Sequence, residues 1–240
     1  MKNIAKAIDV VDSPRHALTL VSDLFSKKGI SVVSFVNAHA CLMAQQKSDF
    51  SKALMESNLV FRDGIGVKLM MKAYSLPFGF NANGTDLIPR ILNQHNEKRV
   101  MCVGTAEPYL SKAVEKLKSQ NINIVCAIDG FQSNQDVFSK INEVQPDIIL
   151  LGMGMPKQEV FCEEFKVSGY EGSTVLICGG AILDFYAERF PRAPKILRSL
   201  GMEWCYRLFK EPRRLFKRYV LGIPMFLFAV VLSENENQDL

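Results

Sequence analysis

The strongest constraint on this chain is an alternation along it. Short runs rich in Val, Ile and Leu are followed, repeatedly, by longer amphipathic segments. Ser31–Val36, Arg99–Val103, Asn123–Ala127, Asp147–Leu151 and Thr174–Cys178 have the length and apolar continuity of buried strands. Ala38–Ser57, Gly66–Tyr74, Asp86–Asn96, Pro108–Ser119, Gln135–Glu143, Lys157–Lys166 and Ala181–Tyr186 read as helices. Pro108, just after Thr105, suits a helix start. Strand–helix–strand order at this spacing predicts an α/β fold, with a mostly parallel sheet covered by helices on both faces. Ligands of such sheets sit beyond the carboxyl ends of the strands, so chemistry is expected in the turns there.

After Tyr186 the pattern changes. Arg189–Pro194 is a Pro-punctuated link, followed by two helix-like stretches, Lys195–Lys210 and Pro212–Leu232. Ile196, Leu197, Leu200 and Trp204 recur at helical spacing in the first, and Leu215, Phe216, Tyr219 and Ile223 in the second. Charge sharpens the division. The whole chain is +4, yet Arg189–Arg218 holds ten basic residues against Glu203 and Glu211, a net +8, leaving −4 elsewhere. The expectation is an α/β body over residues 1–190 and a basic, amphipathic helical appendage over residues 191–240. Such a segment fits phosphate, nucleic acid or an anionic membrane surface, and equally an ordinary helix packed on the body. The apolar run Tyr219–Leu232 falls short of the ~20 residues of a membrane span. Nucleic acid is disfavoured, because the basic segment lacks a reading motif and ends in an apolar stretch.

Composition removes other classes. With 48% hydrophobic and 22% charged residues, disorder, collagen and coiled coil are excluded as the main architecture. The six cysteines are scattered without a CxxC pair and read as reduced thiols of a cytosolic protein. Met1–His16 has no apolar core of a secretory signal.

Four turns could carry chemistry. Asp63, in Phe61–Val67, lies on a Gly-marked turn; it can take a proton from a substrate hydroxyl or simply cap a turn. Gly84, Thr85 and Asp86 open a helix whose N–H groups can hold an anion or a sugar hydroxyl, unless Thr85 or Asp86 only caps it. Gly154, Lys157 and Gln158 follow a strand and can face the crevice, although a tight turn explains the glycines too. Gly179 and Gly180 suit close contact with a ligand, with Asp184 near the next helix start. His39 reads as a capping or packing histidine. A Walker A loop, HExxH and GxSxG are absent, and Gly152-x-Gly154 does not complete GxGxxG because Lys157 takes the third glycine's position. There is no DxD pair and no zinc-ligand spacing, so any phosphate must be met by backbone amides and Lys/Arg.

In order, these blocks resemble the WecG/TagA/CpsF family of bacterial glycosyltransferases. They are Asp63-Gly-Ile-Gly, Gly84-Thr-Asp-Leu, Asp129-Gly-Phe, Gly154-Met-Pro-Lys-Gln-Glu, Cys178-Gly-Gly, Arg192-Ala-Pro-Lys, Leu200–Leu208 and Glu211-Pro-Arg-Arg. The similarity runs from about Asn37 to Tyr219. It implies a Rossmann-like body and inverting transfer of a hexosyl, N-acetylhexosaminyl or uronosyl group. The donor would be a UDP-sugar and the acceptor a sugar on undecaprenyl diphosphate, in cell-surface polysaccharide biosynthesis. It implies no metal or other cofactor. Asp63 is then the general base. Asn37, Gly84, Thr85, Asp86, Gly154, Lys157, Gln158, Gly179, Gly180 and Asp184 bind substrate, joined by Arg207, Arg213 and Arg214 from the appendage. The expected location is cytoplasmic, peripheral on the inner face of the plasma membrane; a homo-oligomer stays open. Two departures stand out: Asn81-Ala-Asn-Gly where many relatives carry Arg-Val-x-Gly, and Phe35 where some have Thr. The alternatives are a Rossmann-type nucleotide-dependent oxidoreductase, suggested by Gly152-x-Gly154, and a non-catalytic membrane-surface adaptor.

Overall fold

The computed structural model describes residues 1–190, 192–194, 196–197 and 202–235. Six strands form one sheet: β1 (Ile30–Val36), β2 (Leu59–Arg62), β3 (Val100–Gly104), β4 (Ile124–Ile128), β5 (Ile148–Gly152) and β6 (Thr174–Cys178). Their order is β2-β1-β6-β5-β3-β4, and every pairing is parallel. The helices of the body are α1 (Lys2–Lys6), α2 (Pro14–Leu24), α3 (Ala38–Gln46), α4 (Ser48–Met55), α5 (Ile65–Ala73), α6 (Gly84–Gln94), α7 (Tyr109–Ser119), α8 (Asn134–Val144), α9 (Lys157–Lys166) and α10 (Ile182–Tyr186). This is the expected Rossmann-like α/β architecture. β1, β2, β3, β5 and β6 are almost fully buried because both faces are covered, whereas the edge strand β4 is mostly half-buried. In β1, Val33 and Phe35 enter the core beneath α2 and α6, while Val36 packs with α3, α4 and α5.

Three local expectations change. Ala38–Ser57 is not one helix: the chain is extended at Lys47 (φ −128°, ψ 103°), which separates α3 from α4. The turn lets Phe50, Ala53 and Leu54 of α4 enter the core before the chain returns through β2. Pro108 precedes α7 instead of opening it. β2, α1 and α2 were not expected. Four residues are too few for a period to register in β2. The start of α2 did carry a signal, with Ser13 accepting from His16 N–H and Pro14 in the first turn.

The C-terminal part is built of α11 (Glu203–Lys210), α12 (Pro212–Phe216), a π-helical turn (Lys217–Leu221) and α13 (Gly222–Asn235). Lys195 and Arg198–Gly201 of the expected first stretch lie outside the described residues. Pro224 removes one donor from the helical ladder, and the π-helical turn Lys217–Leu221 lies immediately before it. One face of α13 docks on the body: Phe226 and Val230 are buried with Val67, Met70, Met71 and Tyr74. Burying Phe226 is worth about 2–3 kcal/mol. The opposite face exposes Met225, Phe228, Val231 and Leu232. Among the described residues no helix is long and apolar enough to cross a membrane.

Candidate active site

A cavity of about 350 Å³ opens beyond the carboxyl ends of four neighbouring strands, β2, β1, β6 and β5. That volume suits a small-molecule ligand. Each strand contributes the turn that follows it. Asn37 follows β1 and caps α3, its Oδ1 accepting from Ala40 N–H at 3.1 Å. Asp63 follows β2, its own N–H held by Val36 C=O at 2.8 Å. Gly152–Met155 follow β5, and Cys178–Ala181 follow β6.

The turn carrying Asp63 is held from two sides. Gly64 sits at φ +96°, a conformation glycine adopts without strain, and its N–H donates to Asn81 Oδ1 at 2.8 Å. Arg62 is buried and donates to Phe78 O, Gly79 O and Gly64 O at 2.9, 3.1 and 3.1 Å. Arg62 and Asn81 thus tie the Asp63 turn to the segment leading into α6. The Asn81 departure has a local partner: its side-chain carbonyl receives the Gly64 backbone donor.

Asp63 opens onto the cavity yet is enclosed by protein on a wider scale, and this desolvation pushes its carboxyl up to about 6. Arg218 and Arg207 and the Asn37 side chain oppose the rise, while Glu203 adds to it. His39 lines the same wall; burial and then the Arg218 charge lower its pKa.

On the other side, Gln158 is 2% exposed, and its Oε1 accepts from Gly180 N–H at 3.0 Å. Asp184 lines the cavity while accepting from Thr105 Oγ1 at 2.7 Å and Arg189 at 3.1 Å. Arg207 and Arg218 close the space from the C-terminal part. The Arg207 guanidinium lies 5.3 Å from the centre of the Phe185 ring.

Asn37, Asp63, Gly84, Thr85, Gly154, Gln158, Gly179, Gly180, Asp184 and Arg207 therefore meet around one cavity. Three other candidates do not line it. Asp86 is engaged by Asn83, which caps α6, and by Arg192 at 2.8 Å. Lys157 donates to Gly130 O at 2.6 Å, holding the β4 turn. Arg213 is exposed on α12. The Arg214 side chain lies outside what is described. Arg218 was missed as a site residue. Its signal was the spacing of eleven from Arg207, about three helical turns, obscured by the break at Glu211. Among the described residues no cluster of His, Cys, Asp and Glu could hold a metal ion.

A carboxylate facing two arginines in a strand-end crevice defines a site suited to group transfer from an anionic leaving group. The chain matches the glycosyl transferase WecG/TagA/CpsF family over residues 2–239 and belongs to that family. It is similar to the N-acetylglucosaminyldiphosphoundecaprenol N-acetyl-beta-D-mannosaminyltransferase of Bacillus spizizenii, 28% identical over 238 residues, 95% of this chain and 90% of the relative. The Bacillus subtilis protein of the same name is 30% identical over 213 residues, 87% of this chain and 81% of the relative. The protein is a glycosyltransferase, which sets aside the oxidoreductase and adaptor alternatives.

Proposed function

We propose that this enzyme transfers a sugar, with inversion, from a UDP-sugar to a sugar carried on a polyprenyl diphosphate. The observation that carries the reading is the single cavity in which Asp63 meets Arg207 and Arg218. The names of both Bacillus relatives support an undecaprenyl-diphosphate N-acetylglucosamine acceptor and an N-acetylmannosaminyl donor group.

In this mechanism ionised Asp63 takes the proton of the acceptor hydroxyl. The oxygen forms a bond to the anomeric carbon while the bond to the diphosphate breaks, and the leaving UDP keeps that electron pair. Arg207 and Arg218 offset its growing charge. Asn37 fixes the base, and Gln158 and the Gly179–Gly180 backbone contact the donor. A base lifted to about 6 is still ionised near neutrality and is stronger than an ordinary aspartate.

The acceptor's lipid requires the enzyme to sit at a membrane. The exposed face of α13, with Arg213 and Lys217 exposed nearby, suits shallow docking on an anionic surface. In this reading residues 191–240 form the docking appendage of the body, on the inner face of the plasma membrane. The test is a screen of UDP-sugars with a short-chain polyprenyl-diphosphate N-acetylglucosamine acceptor, read by product mass. A product carrying one added N-acetylhexosamine is expected; no product from any UDP-sugar overturns the reading.

A further inference from the structure

Glu159 has no part in the transfer chemistry above, yet it is a buried carboxyl beside the site. It follows Gln158 on α9 and is 2% exposed. Its Oε1 accepts from Gln158 Nε2 at 2.8 Å, while Oε2 has no hydrogen-bond partner among the described residues. Burial pushes this carboxyl up to about 7, with only Gln158 and a backbone group drawing it down. A leucine or methionine would fill the space without burying a half-satisfied carboxyl group. Packing alone does not account for it.

The geometry of Gln158 does. Its amide is caught between two neighbours of opposite character. The Gly180 N–H can only donate, and it meets Oε1 at 3.0 Å. Glu159 Oε1 accepts from Nε2, as a carboxylate oxygen or as the carbonyl oxygen of the neutral acid. The amide therefore has one orientation, with its oxygen toward the β6 turn and its nitrogen toward Glu159. We infer that Glu159 is a positioning residue that locks the Gln158 amide, so that a ligand in the cavity meets an N–H donor there. Such a donor complements diphosphate oxygens, as the glycosyltransferase reading on which this inference rests requires. The same pair of bonds ties α9 to the Gly179–Gly180 turn, joining two walls of the cavity.

The test is a double-mutant cycle on the full-length protein with Glu159→Leu, Glu159→Gln, Gln158→Ala and Gln158→Ala/Glu159→Leu. Glu159→Leu is expected to lower kcat/KM about tenfold, the scale of one lost hydrogen bond. Glu159→Gln keeps a carbonyl acceptor and is expected to stay within about threefold of the parent. In the Gln158→Ala background, Glu159→Leu should cause no further loss, because its effect passes through Gln158. Equal losses in both backgrounds, or Glu159→Gln as impaired as Glu159→Leu, would overturn the inference. A readout without substrate separates this from the assignment of donor and acceptor. The side-chain amide resonances of Gln158, identified by their disappearance in Gln158→Ala, should move on Glu159→Leu. If they stay in place the positioning role fails; if they move while the parent transfers no sugar, only the substrate reading fails.

Discussion

The two sides of the cavity are built in opposite ways. On the body side, Asn37 is pinned by Ala40 N–H, Gly64 by Asn81 and Gln158 by Gly180. On the C-terminal side, Arg207 and Arg218 arrive on helical turns with no buried residues of their own. The body sets geometry and the C-terminal part brings charge. The segment bearing the arginines is anchored by buried Leu215 of α12 and by α13, whose Phe226 and Val230 pack in the core around α3 and α5.

This contrast can be broken deliberately. The largest effect is expected at Asp63. Asp63→Asn should lower kcat by about 10²–10⁴, the usual contribution of a general base, without lowering Tm. The parent's activity should rise as pH increases through about 6, because the base works ionised. The stability sign is the reverse. Since the carboxyl is raised from 3.8, its favourable contribution is present below 3.8 and is lost as pH rises through about 6. Asp63→Asn should therefore match or exceed the parent's Tm at pH 8. A large fall in Tm, or near-normal turnover, removes Asp63 as the base.

Next come the two faces of α13. Phe226→Ala should cost about 3–5 kcal/mol in chemical unfolding, the usual penalty for an emptied aromatic site. Phe228→Ser, on the exposed face, should leave unfolding within about 0.5 kcal/mol and weaken sedimentation with anionic vesicles. Equal effects of the two substitutions on stability would erase the distinction between the faces.

A smaller effect is expected at Arg207. Arg207→Ala should lower kcat/KM about 10–100-fold in steady-state assays with little change in Tm, since α11 buries none of its residues. The smallest is at Asn81. Asn81→Ala leaves the Gly64 N–H without its partner and should cost about 1–2 kcal/mol of stability, with turnover falling alongside. If Arg207→Ala destabilised more than Asn81→Ala, the division between geometry and charge would be wrong.

Much of this was legible beforehand, for reasons that differ by element. The strands β1, β3, β5 and β6 announced themselves because a sheet covered on both faces demands unbroken apolar runs, and the half-buried edge strand β4 did so through its apolar sequence alone. β2 did not, because its four residues carry no period. Asp63 and Gln158 stood out through glycine-marked turns at strand ends. Asp86 and Lys157 occupy equally suggestive positions, yet Arg192 and the Gly130 carbonyl engage them. Those partners lie far away in sequence, so no local pattern distinguishes a lining group from an engaged one.

The amino-acid sequence by itself determined the α/β alternation, the glycine-marked turns at the strand ends and the concentration of positive charge in one C-terminal segment. Those properties are local: hydrophobic period, glycine placement and charge count act over a few turns of chain. Only the tertiary structure decided that Arg207 and Arg218 face Asp63, that the Asp63 carboxyl is lifted to about 6, and that Glu159 grips Gln158. Burial and electrostatic strength depend on which distant segments close over a group, and that enclosure exists only once the sheet and its covering helices have assembled.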